Sequence, residues 1–379
     1  MYKLFISIRN AIIGFFYKNF LKPVLFKRDP EKVHDNFIKT GKFLGSNFLT
    51  RSIIGLMFNY HHKSLEQVVL GLHFKNPIGL GAGFDKNADL VKTLPKIGFG
   101  FSEHGSFTGE PCEGNAKPRL WRLPKSESIV VNYGLKNDGA EIIARRMQKQ
   151  LKEGKFSIPL GINIAKTNCE ATSDDEIGIA DYAKAYKAFL AVGDYYTVNI
   201  SCPNAFGGQP FTDGKRLDKL LTVLDNYYIE GKPVFLKISP DLTRDQIDDI
   251  IEVCDKHKVD GYICTNLTKP RDKSRIRDEK VPEIGGLSGK LVEHLANDLI
   301  KYIYKKTKGE KVIIGLGGVF TAEDAYKKIK LGATLIQLVT GMIFGGPQTI
   351  SDINRGLVKL LRKDGYANVS EAVGVDNKL

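Results

Sequence analysis

Residues 199–204, with the sequence NISCPN, place two amide side chains and a thiol next to one another. They follow residues 194–198, whose aromatic and β-branched side chains are typical of a β-strand. A strand that ends in polar groups and a proline presents those groups instead of packing them. Cys202 is therefore a candidate nucleophile or proton acceptor, and a buried cysteine beside a turn is the simpler alternative.

Polar side chains also follow the other strand-like stretches. The set consists of amides, hydroxyls, two lysines, one thiol and a glycine: Lys86, Ser106, Asn163, Asn199, Cys202, Asn204, Lys237, Thr265, Asn266, Gly318 and Thr340. It contains no His–Asp pair for hydrolysis and no cluster with the spacing of metal ligands, so no metal is predicted. Amides and lysines together suit a flat, anionic heterocycle. Lys237 lies inside an apolar strand, where a lysine is rare without an anionic partner.

Glycine-rich stretches indicate a phosphate site. Residues 315–318 (GLGG) and Gly341 each follow an apolar stretch, and backbone N–H groups at such points can contact a phosphate. Residues 285–289 (GGLSG) are predicted either to close over the same ligand or to form a flexible turn. A lysine such as Lys237 beside a flavin would stabilise its reduced, anionic ring.

These groups must be positioned by a repeating pattern of strands and helices. The predicted strands cover residues 77–83, 98–103, 159–164, 195–200, 233–238, 261–265, 312–315 and 335–339. Amphipathic helical stretches separate several of them. The pattern predicts an α/β fold, a (β/α)8 TIM barrel, whose strand C-termini meet at one site. An open, doubly wound sheet is the alternative. Two long loops, residues 106–138 and 269–289, are expected to be functional.

The N-terminal part differs from the rest. We divide the chain into a membrane-associating helical region, residues 1–65, and a barrel, residues 66–379. The first 28 residues hold six Lys or Arg and no acid, interleaved with phenylalanines, which predicts a helix lying in a membrane interface. The apolar run there is too short to span a bilayer. An organellar targeting peptide is the competing interpretation.

Overall composition narrows the function classes. The net charge of +13 comes from scattered lysines and not from one basic tract, so nucleic-acid binding is not predicted. The five cysteines are widely spaced and odd in number, which argues against a disulfide framework and for a reducing compartment. A hydrophobic content of 42% is ordinary for a globular protein with a large core.

In combination, these motifs resemble the dihydroorotate dehydrogenases. The resemblance is carried by residues 81–87, 117–119, 199–204, 285–289 and 315–319, together with Asn132, Gly134, Asn163, Lys237, Thr265, Asn266 and Gly341. Residues 25–34 also resemble the start of the membrane-associated, quinone-using class 2 enzymes.

The resemblance implies that dihydroorotate is oxidised to orotate in pyrimidine (UMP) biosynthesis, with FMN as hydride acceptor and quinone as terminal acceptor. It implies FMN contacts at Ala82, Gly83, Ser106, Asn163, Asn199, Lys237, Thr265, Gly289, Gly318, Val339 and Thr340. It implies substrate contacts at Lys86, Asn132, Gly134, Leu135, Asn199, Asn204 and Asn266, with Cys202 as the base. His34 and Arg122 match positions near the quinone entry. The implied location is peripheral, on the cytoplasmic face of the cell membrane or, in a eukaryote, the mitochondrial inner membrane.

The chain departs from the class 2 pattern at four places. Cys202 is the class 1 choice where class 2 enzymes usually carry serine, and Val339 replaces a common tyrosine. Residues 132–137 are one residue shorter than the pattern and lack its arginine, and Leu267 stands where threonine is typical. Fumarate or NAD as acceptor and a different FMN-dependent barrel oxidoreductase are the nearest alternatives. A catalytically idle membrane-bound binding protein is another.

Overall fold

The computed structural model describes the backbone of residues 2–377 and the side chains of residues 4–377, and its N-terminal part is helical. Helix α1, Tyr2–Phe16, continues through a π-helical turn, Tyr17–Leu21, into α2, Lys22–Phe26. Helices α3, Pro30–Ser46, and α4, Phe48–Phe58, follow. Asp29 caps α3, where its carboxylate accepts from the Lys32 N–H at 2.8 Å. Asn47 caps α4, where its side chain accepts from the Leu49 N–H.

The strands alternate with helices through the rest of the chain. They are β1 Gln67–Val69, β2 Leu72–Phe74, β3 Ile78–Leu80, β4 Phe101–Phe107, β5 Leu120–Leu123, β6 Ser128–Val131, β7 Leu160–Ile164, β8 Tyr195–Asn199, β9 Val234–Ile238, β10 Gly261–Cys264, β11 Gly286–Gly289, β12 Val312–Leu316 and β13 Leu335–Leu338. The later helices are α5 Leu94–Ile97, α6 Ala140–Lys152, α7 Asp175–Ala188, α8 Gly214–Asp225, α9 Arg244–Cys254, α10 Glu293–Lys306, α11 Ala322–Lys330, α12 Thr340–Gly345 and α13 Thr349–Asp364.

Within the described residues, eight parallel strands close into a barrel in the order β10-β12-β13-β3-β4-β7-β8-β9. The predicted TIM barrel is confirmed, and each of the eight predicted strands overlaps one of these. An open sheet is excluded because β9 pairs with β10 and β13 pairs with β3, which leaves no free edge. The carboxyl ends of all eight strands consequently face the same opening.

The lower half of the barrel interior is filled by apolar side chains. The rings of Phe101 and Phe235 lie 6.4 and 5.6 Å from that of Tyr195, and Phe74 from β2 packs against Phe101 from below. Gly161 makes room for this layer, since a Cβ there would lie 2.1 Å from the Tyr195 ring. The amino-terminal end of the barrel is therefore sealed, and any ligand must enter from the other end.

The opposite end is covered by a small sheet that was not predicted. Strands β5, β6 and β11 pair antiparallel, and we call them the cap sheet. The two long loops of the sequence supply them, because β5 and β6 lie in residues 106–138 and β11 in residues 269–289. Residues 286–289 pair with β6 and are not a flexible turn.

A buried ion pair joins the helical region to the cap sheet. Arg119, next to β5, lies 2.9 Å from Glu31 of α3, and both side chains are almost fully buried. Burial raises the pKa of Glu31, but hydrogen bonding and charge from Arg119 outweigh it, so the pKa of Glu31 lies below its usual range. Because an unpaired charge here would be costly, the pair holds α3 against the barrel mouth.

No helix in the described part of the chain is long and apolar enough to cross a membrane.

Candidate active site

One cavity lies at the carboxyl ends of the barrel strands, beneath the cap sheet. Its empty volume, including the open mouth, is about 1240 Å³.

Most of the residues singled out in the sequence line this cavity. They are His34, Ala82, Gly83, Lys86, Ser106, Gly134, Leu135, Asn199, Cys202, Asn204, Lys237, Thr265, Asn266, Gly289, Gly318, Val339 and Thr340. These positions span most of the chain. The barrel brings them together because most of them end or follow strands whose carboxyl ends share one opening, and His34 reaches the cavity from α3.

Three of the predicted residues do not line the cavity. Asn163 is fully buried one layer below it, inside the barrel, where its Nδ2 donates to Glu103 at 2.7 Å. The Asn132 Oδ1 accepts from Asn115 at 3.2 Å. Arg122 donates to the Arg28 carbonyl at 2.8 Å, and its guanidinium lies 4.8 Å from the centre of the Phe26 ring. Arg122 therefore joins the cap sheet to the end of α2.

The loop that carries Cys202 is held by amide side chains. Asn204 Nδ2 donates to the Val131 carbonyl at 2.8 Å, and Asn266 Nδ2 donates to the Ser201 carbonyl at 2.9 Å. Asn199 Nδ2 donates to the Ser106 hydroxyl at 2.9 Å. Burial raises the pKa of the Cys202 thiol, while a backbone hydrogen bond at Asn204 and the charge of Lys237 act in the opposite direction. The thiol is thus protonated at neutral pH and needs a nearby cation to ionise.

Lys86 and Lys237 supply positive charge to the cavity. The Lys86 ammonium lies 3.9 Å from the centre of the Tyr133 ring and 3.5 Å from His34 Nε2. Burial lowers the pKa of Lys86 to about 7, so the residue changes charge near neutral pH. Lys237 is 3% exposed, and burial lowers its pKa as well, against the opposing charges of Glu103 and Cys202. Two cations at one site favour an anionic ligand.

Glycine backbone forms another wall of the cavity. Gly318 has φ +71°, and a Cβ there would lie 2.3 Å from the Cβ of Glu293. A Cβ on Gly341 would lie 1.9 Å from the Val319 carbonyl oxygen. Side chains are excluded at both positions, which leaves bare backbone able to approach a phosphate.

The mouth of the cavity is apolar. On the side of the cap sheet and α12 the cavity is lined by Leu120, Ile129, Val131 and Ile343, with His34 at the side of α3. Tyr17 from the π-helical turn donates to the Ile343 carbonyl at 2.6 Å. The helical region thus borders the mouth directly.

Asn163 belongs to a group of polar side chains below the cavity, whose other members sequence reasoning missed. We call Glu103, Asn163, Thr197 and Gln337 the polar layer. Asn163, Thr197 and Gln337 all donate to the Glu103 carboxylate. A glutamate inside an apolar strand was the available signal, and it is the same signal that singled out Lys237. Among the described residues, no group of three or more His, Cys, Asp or Glu could hold a metal ion.

Comparisons with known proteins agree with this geometry. The family profile of dihydroorotate dehydrogenase matches residues 64–361. The chain is 37% identical over 377 residues to a dihydroorotate dehydrogenase (quinone) of Trichodesmium erythraeum, covering 96% of this chain and 99% of the relative. It is 39% identical over 357 residues to the protein of the same name from Natronomonas pharaonis, covering 94% and 98%.

A solved structure is similar over nearly the same span. The crystal structure of DHODH from Eimeria tenella in complex with ferulenol superposes with a TM-score of 0.84 at 30% identity, covering 93% of this chain and 96% of that one. Family profile, curated relatives and architecture coincide, and the chain therefore belongs to the dihydroorotate dehydrogenase family.

Proposed function

We propose that this protein oxidises dihydroorotate to orotate, with FMN as hydride acceptor and quinone as terminal electron acceptor, in pyrimidine (UMP) biosynthesis. The single observation that carries the proposal is one cavity with a polar, cationic end inside the barrel and an apolar mouth bordered by helices. The polar end suits a flavin and an anionic ring, and the mouth suits an apolar quinone. The curated relatives with the quinone-dependent name support the choice of acceptor.

The residues present fit FMN. Lys237 is a buried cation beside the cavity, and Gly318 and Gly341 leave backbone open for a phosphate. Just below, the buried Oδ1 of Asn163 has no hydrogen-bond partner among the described residues. A buried acceptor without a partner is costly, so it indicates a donor from a ligand. When bound, FMN supplies the hydride acceptor and the route for electrons to quinone.

Dihydroorotate has a carboxylate and a ring with amide groups, and the polar end offers a partner for each. We assign Lys86 to the carboxylate and Asn199, Asn204 and Asn266 to the ring, with Gly134 and Leu135 from the loop after β6. The hydrogen bonds that fix Asn204 and Asn266 to backbone carbonyls orient them before substrate arrives.

Oxidation removes a hydride and a proton from dihydroorotate, and Cys202 Sγ is the proposed acceptor of the proton. Lys237 lowers the pKa of Cys202 against the effect of burial, which helps the thiol lose its own proton. A proton acceptor in this setting contributes about 10² to 10⁴ in rate.

Residues 1–65 are proposed to lie on the membrane and to admit quinone at the mouth. Large apolar side chains of the helical region are exposed, among them Phe5, Ile8, Ile12, Phe15, Phe16, Phe20, Phe43, Phe48, Leu49 and Leu56. Exposed apolar area of this extent is unusual for a soluble surface and suits a peripheral membrane protein. The basic residues interleaved with it suit an anionic leaflet.

The test is to purify the full chain and follow its flavin spectrum without oxygen. Yellow protein that bleaches with dihydroorotate, and recovers its colour with a long-chain quinone, is the expected result. Fumarate and NAD are tested in parallel as acceptors. Recovery with fumarate or NAD but not with quinone would overturn the proposed acceptor, and a colourless protein that binds no FMN would overturn the proposal as a whole.

A further inference from the structure

Glu103 is a carboxylate enclosed by the barrel. It is 0% exposed and lies on β4, below the cavity. Its oxygens accept from Asn163 Nδ2 at 2.7 Å, Gln337 Nε2 at 2.8 Å and Thr197 Oγ1 at 3.2 Å. A buried carboxylate is destabilising unless hydrogen bonds and a cation compensate it. The three neutral donors satisfy the oxygens but supply no charge. The buried Tyr195, whose pKa is raised by burial and by the charge of Glu103, also faces this carboxylate.

Lys237 supplies an opposite charge to Glu103. Burial lowers the pKa of Lys237, and Glu103 on β4 is the largest of the charges that raise it, ahead of Cys202 in the loop after β8. The Glu103 carboxylate therefore favours the cationic form of Lys237.

The same carboxylate orients an amide. Because Asn163 Nδ2 is bound to Glu103, the amide cannot turn over, and its Oδ1 is left without a partner among the described residues. Thr197, beside Asn163 in the β7–β8 register, belongs to the same strand as Asn199, which lines the cavity. Asn163 Oδ1 is therefore left as a hydrogen-bond acceptor one layer below the cavity. A flavin ring N–H is a donor that such an acceptor would bind.

We propose that Glu103 is a positioning residue of the flavin site, which keeps Lys237 cationic and fixes the amide of Asn163 as an acceptor. The inference rests on the proposed function, since it assumes that FMN is the cofactor. Glu103 does not line the cavity and acts only through these two neighbours.

The test measures FMN affinity against pH, by the recovery of flavin fluorescence on release. In Glu103→Gln, FMN should bind about tenfold more weakly, the size expected for the loss of a charged, hydrogen-bonded partner. The pH at which affinity falls should also move down, because Lys237 loses its proton at lower pH without the carboxylate. In Lys237→Met, FMN affinity should not fall with pH in this way. The double variant Glu103→Gln/Lys237→Met should show the same pH dependence as Lys237→Met alone. If FMN affinity in Glu103→Gln falls at the same pH as in the wild type, the inference is overturned.

Asp181→Asn is the matched control. Asp181 is 8% exposed and accepts from Thr167 N, Thr167 Oγ1 and Gly109 N at 2.7, 2.8 and 3.2 Å, so it is also a buried carboxylate with several donors. It does not contribute to the pKa of Lys237. Its replacement should lower thermal stability but leave the pH dependence of FMN binding unchanged. If both variants lose thermal stability and neither changes the pH dependence of FMN binding, Glu103 has only a structural role.

A second variant covers the case in which Glu103→Gln does not fold. Glu103→Asp keeps the negative charge but shortens the side chain by one methylene, which draws the carboxylate back towards β4. It should move the pH of FMN release in the same direction by a smaller amount, and an unchanged pH would overturn the inference. The proposed function is tested separately by the wild type. If the wild type contains no FMN, the proposed function is overturned. If the wild type contains FMN and the variants release it at the same pH, only the role of Glu103 is overturned.

Discussion

The two ends of the cavity are built on opposite principles. At the inner end, Lys237, Asn199 and Asn266 each interact with a neighbouring polar or charged group, so the groups are held in fixed directions. At the mouth, Leu120, Ile129 and other apolar side chains form a wall with no preferred direction. Directional groups suit chemistry on one ring, since a reacting atom must be placed accurately. A non-directional wall suits an apolar acceptor that enters and leaves.

The ends also differ in what supports them. The inner end is carried by a closed barrel with no free edge, which resists local movement. The mouth is carried by the cap sheet and by helices attached through the buried Glu31–Arg119 pair. Substitutions at the inner end should therefore affect the oxidation of dihydroorotate. Substitutions at the mouth should affect turnover with quinone and binding to membranes. Each prediction below separates the two.

The largest effect is expected for Cys202→Ala. FMN should stay bound, and flavin reduction by dihydroorotate should slow by about 10² to 10⁴, as for the loss of a general base. Rapid mixing without oxygen measures it. Because burial raises the pKa of the thiol, wild-type reduction should become faster as pH rises and more thiolate forms.

Oxidation of the pre-reduced flavin by quinone is the internal control, and it should be unchanged in Cys202→Ala. Cys202→Ser should restore part of the rate, with its optimum at higher pH because a hydroxyl is harder to deprotonate. Equal rates of flavin reduction in the alanine variant and the wild type, across pH, would show that Cys202 is not the base.

Replacing Phe15, Phe16 and Phe20 together with serine should affect the mouth alone. All three rings are more than half exposed, so the fold should tolerate the change. Binding to anionic vesicles should weaken about 100-fold, because each withdrawn ring loses about 1 kcal/mol or more of burial. Vesicle co-sedimentation measures this, and turnover with membrane-held quinone should fall in parallel.

The matched control replaces Ile142 and Ile177 with serine. They are 47% and 49% exposed on α6 and α7, outside the helical region. Vesicle binding should not change. Reduction of the flavin by dihydroorotate should be normal in both multiple variants, and weaker vesicle binding in the control would contradict a specific membrane face.

A smaller effect concerns Lys86 and pH. Its pKa of about 7 means that the free protein loses this cation as pH rises. If Lys86 binds the substrate carboxylate, affinity for orotate should be full below pH 7 and fall by up to about tenfold between pH 7 and 8. Spectral titration of the oxidised flavin with orotate measures it. Lys86→Met should bind weakly at every pH, and a wild-type affinity that ignores pH in this range would refute the assignment.

The smallest effect is expected for Arg122→Met. The guanidinium holds the end of α2 through the Arg28 carbonyl and the Phe26 ring. Losing this hydrogen bond should raise KM for quinone about fivefold, consistent with about 1 kcal/mol. Steady-state kinetics with varied quinone measures it, and flavin reduction by dihydroorotate is the control. An effect on reduction equal to that on quinone would erase the distinction between the two ends.

Several parts of the fold were predictable because they depend on neighbours in sequence. The barrel strands are short apolar runs between turns, and the Asp29-Pro30 start of α3 is a local capping pattern. The residues that end each strand could be assigned to one site because parallel strands in a barrel share a direction. The strands β1, β2, β5, β6 and β11 were missed, since they lie outside the repeating strand–helix pattern and pair with partners that propensity does not reveal.

The sequence by itself determined the barrel and the chemical types at its open end, because both follow from local periodicity and from strand direction. It could not show that Asn163 lies below the cavity or that Arg122 joins the cap sheet to α2. It also could not show that the two long loops, residues 106–138 and 269–289, pair in one sheet. Only the tertiary structure decided these. Glu103 is the clearest case: Gln337, which donates to it, is 234 positions away. Whether a buried glutamate is compensated depends on which side chains the closed barrel brings around it, and distance along the chain does not encode that.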